Sequence, residues 1–311
     1  MAAFDRQRER AAVCSARAAR RRRYLRRRRA VCLVLLAMCG AGLAVIARST
    51  AAFLTQAGTP PPSTVPATGA YEAAPRPGQG AWNADTTAAL MLLAESIPEV
   101  DAMLRQPERW PQELAALLAH NQETLDFVLA YPDRKDAEPP DTVGDLEPGT
   151  CPLLLQWDER WGCVPYAGSI LAVSGCGPTA LAMVACGLTG DDTLTPARIA
   201  RWAQDNGYAG EVGTSWELMR SGCGEFGLQA QELTLDRGTV FEALQSGRPI
   251  ICSMRPGDFT TTGHFIVLTG VQDGKLRLLD PNSPRRSAEL WEYDRLEYQI
   301  KNLWAYSPKT E

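Results

Sequence analysis

Two proline-rich stretches with no apolar period, Arg48 to about Trp82 and Asp136 to Gly149, divide this 311-residue chain. Only the segment from Cys151 to Glu311 is then long enough to bury a sizeable core by itself. Within it, helix signals precede strand signals. Leu181, Val184, Ala185 and Leu188 recur at helical spacing behind Pro178, Thr195-Pro196 opens a second helix ending near Gly207, and Thr239 to Gln245 form a third, closed by Gly247 and Pro249. Pro249 to Met254, His264 to Val271, Lys275 to Asp280 and Ala288 to Asp294 read as short strands, the middle two joined by a tight hairpin at Asp273-Gly274. Helices followed by antiparallel strands predict an α+β domain over 151–311.

Residues 83–135, between the linkers 48–82 and 136–150, predict four short helices. Apolar groups recur at i, i+3, i+4, as in Leu114, Leu117, Leu118 and Leu125, Val128, Leu129, with Pro98, Pro107, Pro111 and Pro132 as punctuation. Pro111 suits the first turn of the third helix and Asn121 caps the fourth. The segment is expected to be a small packing subdomain, with His120 in a solvated or capping place at a helix end, and 136–150 is expected to act as a hinge.

The net charge of −4 conceals an asymmetry. Residues 1–29 hold twelve arginines against Asp5 and Glu9, which leaves fourteen net negative charges for the remainder. Directly after Arg29 come eighteen residues without a charge, Ala30 to Ala47, enough to cross a bilayer if nearly upright. The arginines predict a single-pass signal-anchor at 30–47 with its N-terminus in the cytoplasm and the larger domain outside. A cleaved signal peptide is disfavoured by the poor small-x-small site at Ser49 to Ala52, and a lipid on Cys39 by Met38 before it. The twin-arginine pattern of Arg21-Arg22-Arg23-Tyr24-Leu25-Arg26 is nearly unavoidable among so many arginines, and beside an apolar span the run points to membrane orientation rather than nucleic-acid binding.

Chemistry concentrates in 151–311. Ser174-Gly175-Cys176-Gly177-Pro178-Thr179 puts a thiol at a helix start, and Gly263-His264-Phe265-Ile266 puts an imidazole at a strand start. A helix N-terminus and a neighbouring imidazolium both favour a thiolate, so the pair reads as a nucleophile with its base. The chain has only two histidines and His120 lies outside this domain, so His264 has no competitor. Asp280 is the candidate to orient the imidazole, with Asn282 as the runner-up. Hairpin parity tests the choice. An unbroken two-residue loop pairs Gln272 with Lys275 and Val267 with Asp280, which places His264 and Asp280 on opposite faces; a three-residue loop including Gln272, or an equivalent bulge, restores them to one face. The Cys176 N–H is one oxyanion donor, and Gln156, at the end of the apolar run Leu153-Leu154-Leu155, is the candidate for the other.

Leu155-Gln156-Trp157-Asp158, Ser174-Gly175-Cys176-Gly177-Pro178-Thr179, Gly263-His264-Phe265 and Asp280-Pro281 together resemble the motifs of papain-like cysteine peptidases of the bacteriocin-processing type, in that family's order, from Cys151 to about Tyr306. The resemblance implies a papain-like fold acting on a peptide or protein substrate, with Cys176 as nucleophile, His264 as base, Asp280 as orienter and Gln156 in the oxyanion hole. No phosphate-binding Gly-x-x-x-x-Gly-Lys loop accompanies it, so the chain is similar to the stand-alone, membrane-tethered branch rather than to transporter-linked members. Two other functions remain open: an amidase or endopeptidase of cell-wall peptides with the same triad, and a non-catalytic module binding wall or peptide.

Cys186 and Cys252 sit in apolar patterns and read as small hydrophobes, while Cys151 and Cys163 form the one disulfide pairing considered, although five cysteines beyond Cys176 preclude full pairing outside the membrane. No Cys-x-x-Cys pair occurs, so neither a zinc site nor a cofactor is expected. The tryptophans at 157, 161, 202, 216, 291 and 304 are assigned to core and rim packing, and the polar loop Arg255 to Gly263 to lining the cleft or moving over it.

Overall fold

The computed structural model describes residues 82–210 and 213–309. The arginine-rich tail, the apolar run 30–47 and nearly all of the linker 48–82 lie outside them; among the described residues no helix is long and apolar enough to cross a membrane.

Four helices come first: α1 (Ala84–Ala94), α2 (Pro98–Arg105), α3 (Gln112–His120) and α4 (Leu125–Arg134). Asn83 caps α1 by accepting the Thr86 N–H, and Pro98 starts α2. Two local readings change. Pro111 precedes α3 as its cap residue rather than lying within its first turn, and Pro132 sits inside α4 instead of ending it. Asn121 caps a short 3-10 turn, Gln122–Thr124, that leads into α4. Leu90, Val100, Met103, Leu114, Leu118, Phe127 and Val128 close a core between the helices. That core continues into the rest of the chain, since Cys163 and Ala172 are buried in it and the Phe127 ring occupies the space a side chain at Gly162 would need. The described residues from Trp82 on belong to one compact unit. The intervening stretch is held at Val143, whose N–H donates to Asp192 O at 2.8 Å and whose carbonyl accepts from Arg160 Nη1 at 2.7 Å.

The remainder begins with a hairpin of β1 (Pro165–Tyr166) and β2 (Ser169–Ile170) and the single turn α5 (Leu171–Ser174). Then comes α6 (Cys176–Thr189), buried from Gly177 to Gly187 and ended by Gly190 at φ 71°, a left-handed closing residue that favours glycine. A helix apolar on all sides must be surrounded, and α6 is the central helix of the fold. After α7 (Pro196–Asp205), β3 (Ala209–Gly210), β4 (Gly213–Thr214) and α8 (Trp216–Arg220) come β5 (Leu228–Glu232), α9 (Arg237–Gln245), β6 (Ile250–Met254), β7 (His264–Gln272) and β8 (Lys275–Leu279). The chain closes with α10 (Pro284–Ala288), β9 (Leu290–Trp291), α11 (Tyr293–Leu296) and β10 (Ile300–Pro308). Six strands form one antiparallel sheet in the order β5-β10-β6-β7-β8-β9. Ile251, Phe265, Val267, Trp304 and Tyr306 share a core with α6, while Ile250, Cys252, Ile266, Leu268 and Leu278 share one with α9. The alternation of these residues along the strands is the period-2 pattern of a sheet covered on both faces.

The mixed helix and antiparallel-sheet class is as expected; the short pairs β1-β2 and β3-β4 and two strands of the six-stranded sheet lie beyond the sequence reading. β5 reads Leu-Gln-Ala-Gln-Glu, too polar to announce itself, and β10 is irregular at its start, where a bulge separates Ile300 from Asn302. The expected strand Ala288 to Asp294 shrinks to β9, because Ser283 and Pro284 cap and start a helix that consumes Ala288, and Asp294 falls in α11. The helix expected from Thr239 begins at Arg237, with the Asp236 side chain accepting the Thr239 N–H.

Candidate active site

Cys176 is the first residue of α6, half-buried, with Gly175 before it. The two flanking glycines are required by contact rather than by backbone angle. A Cβ at Gly175 would lie 2.4 Å from the Leu171 carbonyl oxygen, and one at Gly177 would lie 2.4 Å from Thr214 Oγ1. Gly175→Ala is therefore expected to destabilise the fold by about 1–3 kcal/mol, read from denaturant midpoints, because the obstructing atom belongs to the backbone of the preceding turn.

His264 opens β7 opposite Met254, and its Nε2–H donates to Asp280 Oδ1 at 2.7 Å. The side chains of both are buried. The Cys176 sulfur is the other group acting on the ring, and with Nε2 committed to Asp280 the remaining nitrogen, Nδ1, is the one left for the thiol. Burial alone would lower the imidazole pKa; the Asp280 carboxylate and the Cys176 sulfur override it and raise the value from the ordinary 6.5 to about 10. Asp280 is likewise opposed by burial, yet the His264 and Arg286 cations hold its carboxyl below the usual 3.8.

The hairpin accomplishes this by a bulge. Asp273 at φ 52° and Gly274 at φ 74° form a two-residue turn, and Gln272 pairs with Lys275, so the three-residue loop including Gln272 does not occur. Between Leu268 and Gly270 the register slips by the one extra residue Thr269, after which Val267 pairs with Leu279. Asp280, the next residue along, is thereby returned to the face of Ile266 and His264. The strand itself ends at Leu279, one residue before the aspartate.

The runner-up, Asn282, does not face the imidazole. Its N–H donates to Asp280 Oδ1 at 2.8 Å, and its carboxamide oxygen accepts from Asn121 Nδ2 at 3.2 Å. Gln156 is buried, its N–H donating to Pro281 O at 2.8 Å. Its Nε2 donates to Ala172 O at 2.7 Å and only weakly, at 3.4 Å, to Val173 O, while its Oε1 has no hydrogen-bond partner. The carboxamide is thus set against the turn that leads into Cys176.

Two residues beyond the sequence reading belong to the constellation. Arg286 Nε donates to Asp280 Oδ2 at 2.5 Å, and its guanidinium lies 5.7 Å from the Phe259 ring centroid. Its signal was the Ser283-Pro284 helix start, which puts Arg286 in the first turn of a helix beginning beside the aspartate. Tyr166 shares a 2.8 Å hydrogen bond with Thr214 Oγ1; burial foremost, with the Cys176 charge adding, pushes its phenol up to about 12. The loop before His264 is pinned rather than free, as Asp258 Oδ2 accepts from Arg295 Nε at 2.8 Å and from Gln299 Nε2 at 2.7 Å.

The remaining described cysteines are free thiols. Cys151 lies against Gly187 while Cys163 belongs to the core of the four-helix segment, so the two are not bonded to each other. Trp161, Trp291 and Trp304 are buried, and Trp216 is partly exposed beneath Lys301.

The Peptidase_C39 like family model matches residues 150–310, about half the chain and the whole of this constellation. The chain belongs to the Peptidase_C39 like family. Among solved structures, the peptidase domain of Streptococcus ComA, a bifunctional ABC transporter involved in a quorum-sensing pathway, is 21% identical with a TM-score of 0.36, covering 44% of this chain and 93% of that one. A C39-like peptidase from Bacillus anthracis is 16% identical with a TM-score of 0.31, covering 52% of this chain and 97% of that one. Comparison with curated proteins gives no match. The C39-like match accounts for residues 150–310 as a cysteine-peptidase-type domain and does not extend to the four helices before it.

Proposed function

We propose that this protein is a cysteine peptidase that hydrolyses peptide bonds through an acyl-enzyme on Cys176, held outside the cell by a membrane span at 30–47. One observation carries the reading: a single buried imidazole lies beside the Cys176 sulfur and donates to the Asp280 carboxylate at 2.7 Å. The His264 ring, paired to Asp280, takes the thiol proton, and the sulfur at the N-terminus of α6 becomes the nucleophile. The thiolate attacks the scissile carbonyl carbon, and the oxyanion that forms takes the Cys176 N–H and the second N–H of Gln156, which now makes only its long bond to Val173 O. The imidazolium then gives its proton to the departing amine. Water, deprotonated by the same ring, attacks the thioester and releases the acid, returning the proton to His264.

The test is mass-spectrometric cleavage profiling by the full chain of a peptide library and, separately, of cell-wall muropeptides. New termini in the library that disappear on treatment with a thiol alkylator support a general peptidase. Cleavage confined to muropeptides moves the assignment to wall peptides, and none in either substrate leaves a binding module.

A further inference from the structure

We infer that the four-helix segment is a clamp on the loop that carries Asp280, with Asn121 and Glu123 as positioning residues for the His264–Asp280 pair. The inference rests on the peptidase reading above and concerns residues outside the 150–310 match.

From Asp280 to Arg286 the chain makes one tight loop, gripped from outside at several points. Gln156 N–H holds Pro281 O, and Trp157 Nε1 reaches Asn282 O at 3.3 Å. Trp291 Nε1 donates to Arg286 O at 3.0 Å, and further grips come from the helical segment. Asn121 Nδ2 donates to Asn282 O at 2.7 Å, while Glu123 accepts the Ser283 hydroxyl proton at 2.5 Å on one carboxylate oxygen and the Arg285 N–H at 3.0 Å on the other. Asn282 is one hydrogen bond from the catalytic carboxylate, and Ser283 is two. Asn282 N–H donates to Asp280 Oδ1; the Ser283 hydroxyl accepts the Arg286 N–H at 3.1 Å, and Arg286 Nε donates to Asp280 Oδ2. The carboxylate that faces His264 is thus fixed on both oxygens by residues whose own positions are set by Asn121 and Glu123.

The gripping side is itself rigid. Asn121 Oδ1 accepts the Glu123 N–H at 3.1 Å, so one carboxamide fixes the turn that presents Glu123 and also holds the loop, and Thr124 behind it is fully buried. A segment that only spaced the domain from its linker would not direct a carboxylate and a carboxamide at a single short loop.

The test reads thiolate formation without any substrate. The alkylation rate of Cys176 by iodoacetamide is measured by peptide mass spectrometry across pH in the full chain, for wild type, Glu123→Ala, Glu123→Gln and Asn121→Ala. The charged groups about the ring are Asp280, the Cys176 sulfur and, through Asp280, Arg286. When Asp280 loses its hold the imidazolium is less stabilised, so the ring accepts the thiol proton less readily. Glu123→Ala is expected to alkylate at least tenfold more slowly near pH 6 and to converge on wild type at high pH. Asn121→Ala is expected to shift the profile in the same direction by less, and Glu123→Gln, which retains an acceptor for Ser283, to recover part of the loss. Wild-type profiles in Glu123→Ala and Asn121→Ala overturn the clamp, whatever the melting temperatures do. If Glu123→Ala does not fold, Asn121→Ala and Glu123→Gln decide on the same criterion. A shifted profile in a protein that cleaves nothing sinks the peptidase reading and keeps the clamp; an unshifted one in an active enzyme does the reverse.

Discussion

Cys176→Ala is expected to lower kcat for peptide hydrolysis by on the order of 10⁵-fold or more, to the level left by binding alone, while the melting temperature stays within a few degrees of wild type. The size of the effect follows from the absence of any substitute nucleophile among the described residues. Burial pushes the other thiols up, to about 12 at Cys151 and Cys186 and about 11 at Cys163 and Cys223, and higher again at Cys252. At neutral pH these are neutral small hydrophobes, Cys186 and Cys252 in the places their apolar patterns predict. Among the described cysteines only Cys176 combines partial exposure, a helix N-terminus and an imidazole beside it. Cys176→Ser is expected to recover little, since a hydroxyl does not release its proton to this imidazole as a thiol does. The measurement is product formation on the best library peptide; a variant that retains more than a hundredth of wild-type kcat would remove Cys176 from the mechanism. Stability is spared because alanine fits a half-exposed first helical position with no cavity.

How far the sequence disclosed this site depends on the range over which each feature is determined. Cys176 and His264 are announced by neighbours in the chain: glycines that must lack a Cβ, a proline in the first helical turn, and an apolar strand directly after the histidine. The need for an odd register followed from parity alone, but its location did not. Asp273-Gly274 satisfies the two-residue turn completely, and the slip occurs at Thr269, in the strand, where the isolated Gly270 beside it is the one local mark of a bulge. The same limit hid Arg286, whose role depends on a helix that turns it back toward Asp280 six residues earlier. It hid the four-helix contact altogether, because Glu123 and Ser283 are 160 residues apart and each has an ordinary local reading. At the level of fold, strands with continuous apolar runs such as β6 were legible, while β5, on the sheet edge with alternate polar residues, carried too little burial to be distinguished from a loop.

The second large effect is expected at Asp280, and it separates chemistry from stability. The residue is completely buried, and its carboxylate accepts from His264, from Asn282 N–H and from Arg286 Nε. Asp280→Ala is expected to lower kcat by about 10³–10⁴-fold, since the imidazole loses both its orientation and the charge that stabilises its cation. It is also expected to destabilise the fold by about 3–5 kcal/mol, because the Arg286 guanidinium, only 18% exposed, is left without a counter-charge. The stability loss depends on pH in both directions. The His264 pKa is raised, so the pair's contribution is fully present below the ordinary 6.5 and fades as pH rises through about 10. The Asp280 pKa is lowered, so the contribution is present above the ordinary 3.8 and is lost as pH falls below it. The difference in unfolding free energy between wild type and Asp280→Ala is accordingly widest between about pH 4 and 6.5 and narrows on either side. Adding Arg286→Met to Asp280→Ala removes the stranded cation and is expected to restore most of the stability, because a methionine stem can pack beside Phe259 without a partner. Activity is not expected to return with it. Recovery of both would mean that Asp280 serves only to neutralise Arg286, whereas recovery of stability alone assigns the carboxylate to the imidazole.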